Sequence, residues 1–135
     1  MPDFELKIVS DAPVEDVIEL YKDAGWWEEG WSRDAAKTMI SGSFRFAGLF
    51  RDGQLVGMGR ALSDGVSDAY IQDVVIRSDL REQGWGLHLV QLLITELKSA
   101  GIDWIGLIGV PGSENFYRKL GFSVMKDFVP MKLQC

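Results

Sequence analysis

The sequence predicts an α/β fold: a mixed, mostly antiparallel sheet of six to seven strands flanked by about four helices. Two β-type runs flank Asp52-Gly53, a dipeptide suited to a tight hairpin turn, so antiparallel strands come early. A β-type run at 69–76 then leads through a glycine-bearing turn into an apolar helical segment and on to a second β-type run at 104–110. This is a β-α-β unit. With helical segments also preceding the hairpin, helices on both faces of the sheet are expected.

In chain order, Phe4–Val9 reads as a first strand, and Asp11-Ala12-Pro13 sets up a helix start with proline in the first turn. That helix runs to about Asp23. Its apolar positions Val14, Val17, Ile18 and Tyr21 follow helical spacing, while Glu15, Asp16 and Glu19 face water, and Gly25 ends it. After the aromatic and acidic segment Gly25-Trp26-Trp27-Glu28-Glu29-Gly30-Trp31, a second helix begins past Ser32 and stops near Gly42. Runs 44–50 and 55–62 pair as the hairpin. The long helix covers 87–97, and 104–110 is short, apolar and β-branched enough for a buried strand. A short helix at 114–120 is closed by Gly121, and 122–133 makes one or two final strands broken near Pro130. There is no repeat, low-complexity tract or linker, so residues 1–135 are expected to form one domain. A chain of this length buries roughly two-thirds of its unfolded surface, enough for a core without disulfides or metal.

The net charge is −6. Nucleic-acid affinity comes largely from clustered Lys and Arg that release counterions, so this balance argues against nucleic acid and, equally, against anionic membrane as partners. The sole cysteine, Cys135, allows no intramolecular disulfide and fits a reducing, cytoplasmic location; at the chain end it reads as a bystander. No apolar run approaches the roughly 20 residues of a membrane span, and no hydrophobic leader follows Met1. The chain therefore reads as soluble and unexported.

The most informative segment is Arg81-Glu82-Gln83-Gly84-Trp85-Gly86, set between a strand and a helix. A helix N-terminus leaves its first N–H groups unpaired and carries partial positive charge, so a turn leading into it can wrap a phosphate or pyrophosphate with main-chain donors. Gly84 and Gly86 have no Cβ and would let the ligand come close. Rival cradles fail on sequence. No Gly-Lys pair exists for a triphosphatase phosphate loop, and Gly84-Trp85-Gly86 and Gly57-Met58-Gly59 are followed by Leu89 and Leu62 where a dinucleotide fingerprint needs a small residue.

Residues 74–97 resemble the coenzyme A-binding motif of the GCN5-related N-acetyltransferase (GNAT) superfamily, Gln/Arg-x-x-Gly-x-Gly/Ala, with Arg81, Gly84 and Gly86 at every fixed position. Residues 115–122, Asn-Phe-Tyr-Arg-Lys-Leu-Gly-Phe, are similar in content to that family's Asn-x-x-Phe-Tyr-x-x-x-Gly-Phe region. The order of elements fits over nearly the whole chain. One departure is Ser78, where the family often has proline; Ser78-Asp79 can make the same turn.

The resemblance implies an acyl-CoA N-acyltransferase fold and acetyl-CoA as co-substrate. Its pyrophosphate would sit on the N–H groups of about 82–87, so Arg81, Glu82, Gln83, Gly84, Trp85, Gly86 and Leu87 are cofactor-binding candidates. Pantetheine would run along Val74, Val75 and Ile76 like an added strand, with Asn115 a further contact. In this family a bulge splays that strand from the next one and the cofactor enters the gap. Direct transfer in a ternary complex needs a neutral amine, donors for the oxyanion and a proton for the leaving thiolate. Tyr117 is the candidate proton donor, since a phenol with a reference pKa near 10 stays protonated at neutral pH. Asp73 is the candidate base, placed by alternation on the opposite face from Val74, and an N–H near Val75 is the implied oxyanion donor.

For the acceptor side, Trp27 and Trp31, with Trp26, lie where the family's first two helices cover the substrate; aromatic walls with Glu28 and Glu29 suit an aliphatic or aryl amine. Ordinary packing of a helix corner is the competing reading. Arg33, Arg45 and Arg60 would instead make an anionic pocket if they converged. His88 falls on a polar stripe with Gln91, Thr95 and Lys98 and is expected to face solvent; no Cys or His spacing suits a metal. The expected activity is an acetyl-CoA-dependent N-acetyltransferase, monomer or homodimer, acting on an amine that this family reads through variable loops: small amines, amino sugars, antibiotics, protein lysines or N-termini. The alternatives are a non-catalytic acyl-CoA-binding or interaction module, and a longer acyl donor.

Overall fold

The computed structural model describes residues 1–134; Cys135 lies outside the described residues. The elements are β1 (Phe4–Val9), α1 (Val14–Asp23), α2 (Arg33–Ser41), β2 (Arg45–Arg51), β3 (Gln54–Ser63), β4 (Asp68–Ile76), a 3-10 turn (Ser78–Leu80), α3 (Trp85–Ser99), β5 (Trp104–Gly106) and α4 (Glu114–Arg118). Local sequence explains part of how the helices start and stop. The Ser32 hydroxyl accepts the Ala35 N–H at 3.0 Å and caps α2. Pro13 is the residue before the first turn of α1 rather than inside it. At the far end of α4, the Phe122 N–H reaches the Tyr117 carbonyl at 3.1 Å and Gly121 adopts φ 96°, a Schellman-type closure.

The strands lie in sequence order, β1-β2-β3-β4-β5; the first four are antiparallel, and β5 is parallel to β4. Asp52 and Gly53 both have positive φ, 49° and 85°, as the hairpin between β2 and β3 requires. One face of the sheet packs on α3, through Leu89, Val90, Leu93 and Leu97 against Ala47, Leu49, Val56 and Ile71. The other packs on α1 and α2, through Val17, Leu20, Tyr21, Ala36 and Ile40 against Phe46, Met58 and Val75.

The sheet therefore has five strands among the described residues, not six or seven. Residues 122–133 form no strand: Phe122 packs partly against the core, but Val124, Met125, Phe128 and Val129 stay exposed, because β-type composition does not by itself make a ladder. The strand expected at 104–110 stops at Gly106, because only 104–106 keep a partner in β4. Nor is it buried, since Trp104, Ile108 and Val110 are exposed.

Candidate active site

Beyond β4 the chain passes through the 3-10 turn into the loop ahead of α3. Glu82 (φ 62°) and Gly84 (φ 88°) are left-handed there. Among the described residues, no backbone N–H from 82 to 87 finds an acceptor; the first bond of α3 runs from the His88 N–H to the Gly84 carbonyl at 3.2 Å. The N-terminus of α3 has neither a side-chain cap nor an acidic residue in its first turn. Six consecutive donors and the positive end of a 15-residue helix thus form a cradle for an anion.

The two glycines of the cradle serve different ends. At Gly84 a Cβ would meet open space, so its value is the left-handed backbone. At Gly86 a Cβ would lie 3.2 and 3.3 Å from the Phe116 ring, so its missing side chain is filled by α4 and not kept clear for a ligand. This corrects the expectation that both clear the ligand's path. Trp85 stacks on Phe4 at 4.8 Å, while Glu82 and Gln83 are exposed, as is Asn115 in the first turn of α4. The Arg81 side chain turns inward: Nε donates to the Ile76 carbonyl at 2.8 Å and Nη2 to Asp23 at 3.1 Å.

In β4 the register slips. Met58 lies opposite Val75 but Arg60 opposite Gln72, so Asp73 and Val74 together face Gly59, and Asp73 adopts φ 55°. This is a β-bulge at a residue type that tolerates the left-handed region. Gly59 sits under α3, where a Cβ would come 2.7 Å from Leu89 and 3.3 Å from Val74. Val74 thus faces α3 and Asp73 the opposite side, as alternation predicts. On its other edge β4 pairs with β5 only over 68–70. Past that point the chains part, leaving a cleft of about 340 Å³ lined by Trp26, Tyr70, Gln72, Asp73, Ile108 and Val110 among others. The bulge and gap implied by the resemblance are both present.

Asp73 Oδ2 accepts Arg60 Nε at 2.7 Å and the Tyr21 hydroxyl at 2.8 Å, while no described residue hydrogen-bonds to Oδ1. Burial, with the adjacent Asp73 charge, pushes the Tyr21 phenol well above its ordinary range, so it remains a donor. The Arg60 side chain is only 11% exposed, which makes Asp73 its essential counter-charge. The sequence alone gives neither Tyr21 nor Arg60 as a partner of Asp73. Tyr21 reads as an ordinary apolar helix position, and Arg60 becomes a neighbour only once the β3–β4 pairing is known.

Tyr117 packs its ring against Phe116 and Phe122, at 4.9 and 5.8 Å, and its hydroxyl has no hydrogen-bond partner among the described residues. Burial raises its pKa. It is not part of the cleft wall. Of the three tryptophans only Trp26 lines the cleft; Trp27 and Trp31 contact each other edge-on at 5.6 Å, and Trp31 packs beside Tyr21 at 6.4 Å. Arg33, Arg45 and Arg60 do not converge, being paired with Glu15, Glu96 and Asp73 respectively. His88 is exposed. Among the described residues no cluster of side chains suits a metal ion, and no helix is long and apolar enough to cross a membrane.

Sequence comparison decides the family: the model of the acetyltransferase (GNAT) family matches residues 9–122. The chain belongs to the GNAT family. Its curated relatives include the uncharacterized N-acetyltransferase ycf52 of Gracilaria tenuistipitata var. liui, 38% identical over 107 residues that cover 74% of this chain and 59% of the relative. Serotonin N-acetyltransferase 2, chloroplastic, of Oryza sativa subsp. japonica is 34% identical over 77 residues, covering 57% of this chain and 38% of the relative. The chain spans less than two thirds of the length of these relatives. Among solved structures, a GNAT-family acetyltransferase from Streptococcus pneumoniae TIGR4 superposes with a TM-score of 0.82 at 23% identity, covering 98% of both chains. An aminoglycoside N-acetyltransferase in complex with CoA gives 0.76 at 14% identity, covering 100% of this GNAT chain and 97% of the other. These likenesses establish the fold.

Proposed function

We propose that the chain moves an acetyl group from acetyl-CoA directly to a primary amine, without a covalent enzyme intermediate. The observation that supports this best is the bulge at Asp73 and Val74: it frees the outer edge of β4 beside a cleft, and the same strand runs on into the six unpaired N–H groups. In this reading the donors of 82–87, in the loop that Arg81 opens, hold the pyrophosphate. The exposed edge of Val74, Val75 and Ile76 holds pantetheine as an added strand, with Asn115 beside it.

Acetyl-CoA supplies a thioester carbonyl that an amine attacks, with CoA thiolate leaving. Tyr117 donates the proton that the thiolate takes up; burial keeps the phenol protonated, and its hydroxyl is uncommitted. Asp73 receives the acceptor's ammonium on Oδ1 and removes its proton directly or through water, while Arg60 and Tyr21 fix Oδ2. An N–H near Val75 stabilises the oxyanion. Trp26, Tyr70, Ile108 and Val110 around one carboxylate suit an amine on an aryl or alkyl body, and a relative named for serotonin acetylation agrees with that class. Trp27 and Trp31 lie outside this wall and act through packing, Trp27 on Trp31 and Trp31 beside Tyr21. We take residues 1–135 as one catalytic domain.

The test is release of free CoA thiol across a panel of arylalkyl and alkyl amines. Saturable turnover is expected, with Tyr117→Phe lowering kcat by about 100-fold, within the usual range for losing a general acid. Acetyl-CoA binding without turnover on any amine would leave a non-catalytic acyl-CoA-binding module.

A further inference from the structure

Asp23, the last residue of α1, ties that helix to the entrance of the cradle. Its Oδ2 accepts the Ser78 N–H at 3.0 Å and Arg81 Nη2 at 3.1 Å, and its Oδ1 accepts the Ser78 hydroxyl at 3.1 Å. Arg81 in turn holds the Ile76 carbonyl through Nε. One carboxylate thereby joins α1, the end of β4, the 3-10 turn and the loop that opens into the cradle. An aspartate at a helix C-terminus opposes the helix dipole, so its place here is explained by these three bonds and not by helix stability.

We infer that Asp23 is a positioning residue for the cradle, acting through Ser78 and Arg81; the inference rests on reading 82–87 as the cofactor cradle. Backbone donors bind an anion well only if they are already aimed, and this loop carries two left-handed residues that its surroundings must hold in place. On its helix side the loop is held by Trp85 on Phe4 and by Gly86 under Phe116. On its strand side, Arg77 pairs with Asp79 within the turn, and the side-chain polar contacts that reach α1 are those of Arg81 and Ser78 with Asp23. The departure at position 78 then has a use. Proline would stiffen this turn with its ring but has no N–H; serine gives the turn to Asp23 instead.

The experiment compares two donors by calorimetry. Acetyl-CoA reaches the cradle, whereas S-acetylpantetheine lacks the phosphates and tests the β4 edge alone. Asp23→Ala is expected to raise the Kd for acetyl-CoA about tenfold, the loss of one charge-assisted hydrogen bond's worth of preorganisation, and to leave that for S-acetylpantetheine within about twofold. Adding Ser78→Pro to Asp23→Ala is expected to recover part of the loss, since Arg77 already has the extended ψ of 139° that a following proline needs. Equal weakening of both donors would mean general damage to the fold and overturn the inference. So would unchanged affinity, and so would tighter binding, which would mean that Asp23 competes with phosphate for Arg81. A folded wild type that binds neither donor would instead overturn the cofactor reading, and this inference with it.

Discussion

The cradle is backbone from six consecutive residues, whereas the cleft is side chains from three separate segments, at 26, 70–73 and 107–110, braced from behind by Tyr21 and Arg60. A backbone site is set by local φ and ψ and tolerates changes of side chain. A side-chain site exists only when distant segments meet, and each member matters. The two halves of the proposed active site should therefore fail in different ways.

The largest effect on cofactor binding should come from removing backbone freedom in the cradle. Gly84→Val puts a β-branched residue at φ 88°, a strain of about 2 kcal/mol, and should weaken acetyl-CoA by about 30-fold in titration. Glu82→Ala and Gln83→Ala keep their N–H groups and should stay within about threefold. If those two alanines instead cost as much as the valine, the site is made of side chains and the contrast collapses.

In the cleft, Asp73→Asn should lower kcat/KM for amines by about 100-fold, as expected for a lost general base. It should also cost about 1–3 kcal/mol in denaturant unfolding, since Arg60 and Tyr21 lose a charged acceptor in a half-buried setting. Loss of stability with unchanged turnover would mean that Asp73 only braces the bulge.

Gly86→Ala should separate packing from binding. The added methyl pushes Phe116, at a cost of about 1 kcal/mol, read as a Tm lower by about 3–5 °C. Acetyl-CoA affinity should fall less than in Gly84→Val.

The smallest effect lies outside both regions. Hydrogen bonds from the Ser67 and Val66 N–H groups and the Ser67 hydroxyl hold Asp64 at about 2, below its ordinary 3.8. Because the folded value is the lower one, this group's stabilisation is present above pH 4 and is lost as pH falls toward 2. Asp64→Asn should flatten the acid limb of the stability curve over that window and leave acetyl-CoA binding alone.

The same contrast explains what could be read in the sequence. Helix spacing, the Ser32 cap, the Asp52-Gly53 turn and the Arg81–Gly86 stretch are local signals, and α1, α2, the β2–β3 hairpin and the cradle were legible from them. The bulge had no local signal and was implied only by the resemblance: an aspartate at 73 gives no sign that it will take φ 55°, and the slip against Gly59 depends on two strands meeting. The extra strands expected at 122–133 show the converse error, in which composition promised strands that the described residues do not form. Arg60, Tyr21 and Tyr70 joined the site only through topology, and the different roles of Gly84 and Gly86 emerged only when Phe116 was found under one of them.

In the proposed function, acetyl-CoA lies on the unpaired donors of 82–87 and along β4. Amide chemical-shift mapping with CoA and, separately, with inorganic pyrophosphate tests this placement most directly. CoA should move the amides of 82–87 together with those of 73–76, and pyrophosphate the first group alone. Shifts confined to other surfaces, or none in a folded protein at saturating CoA, would contradict it.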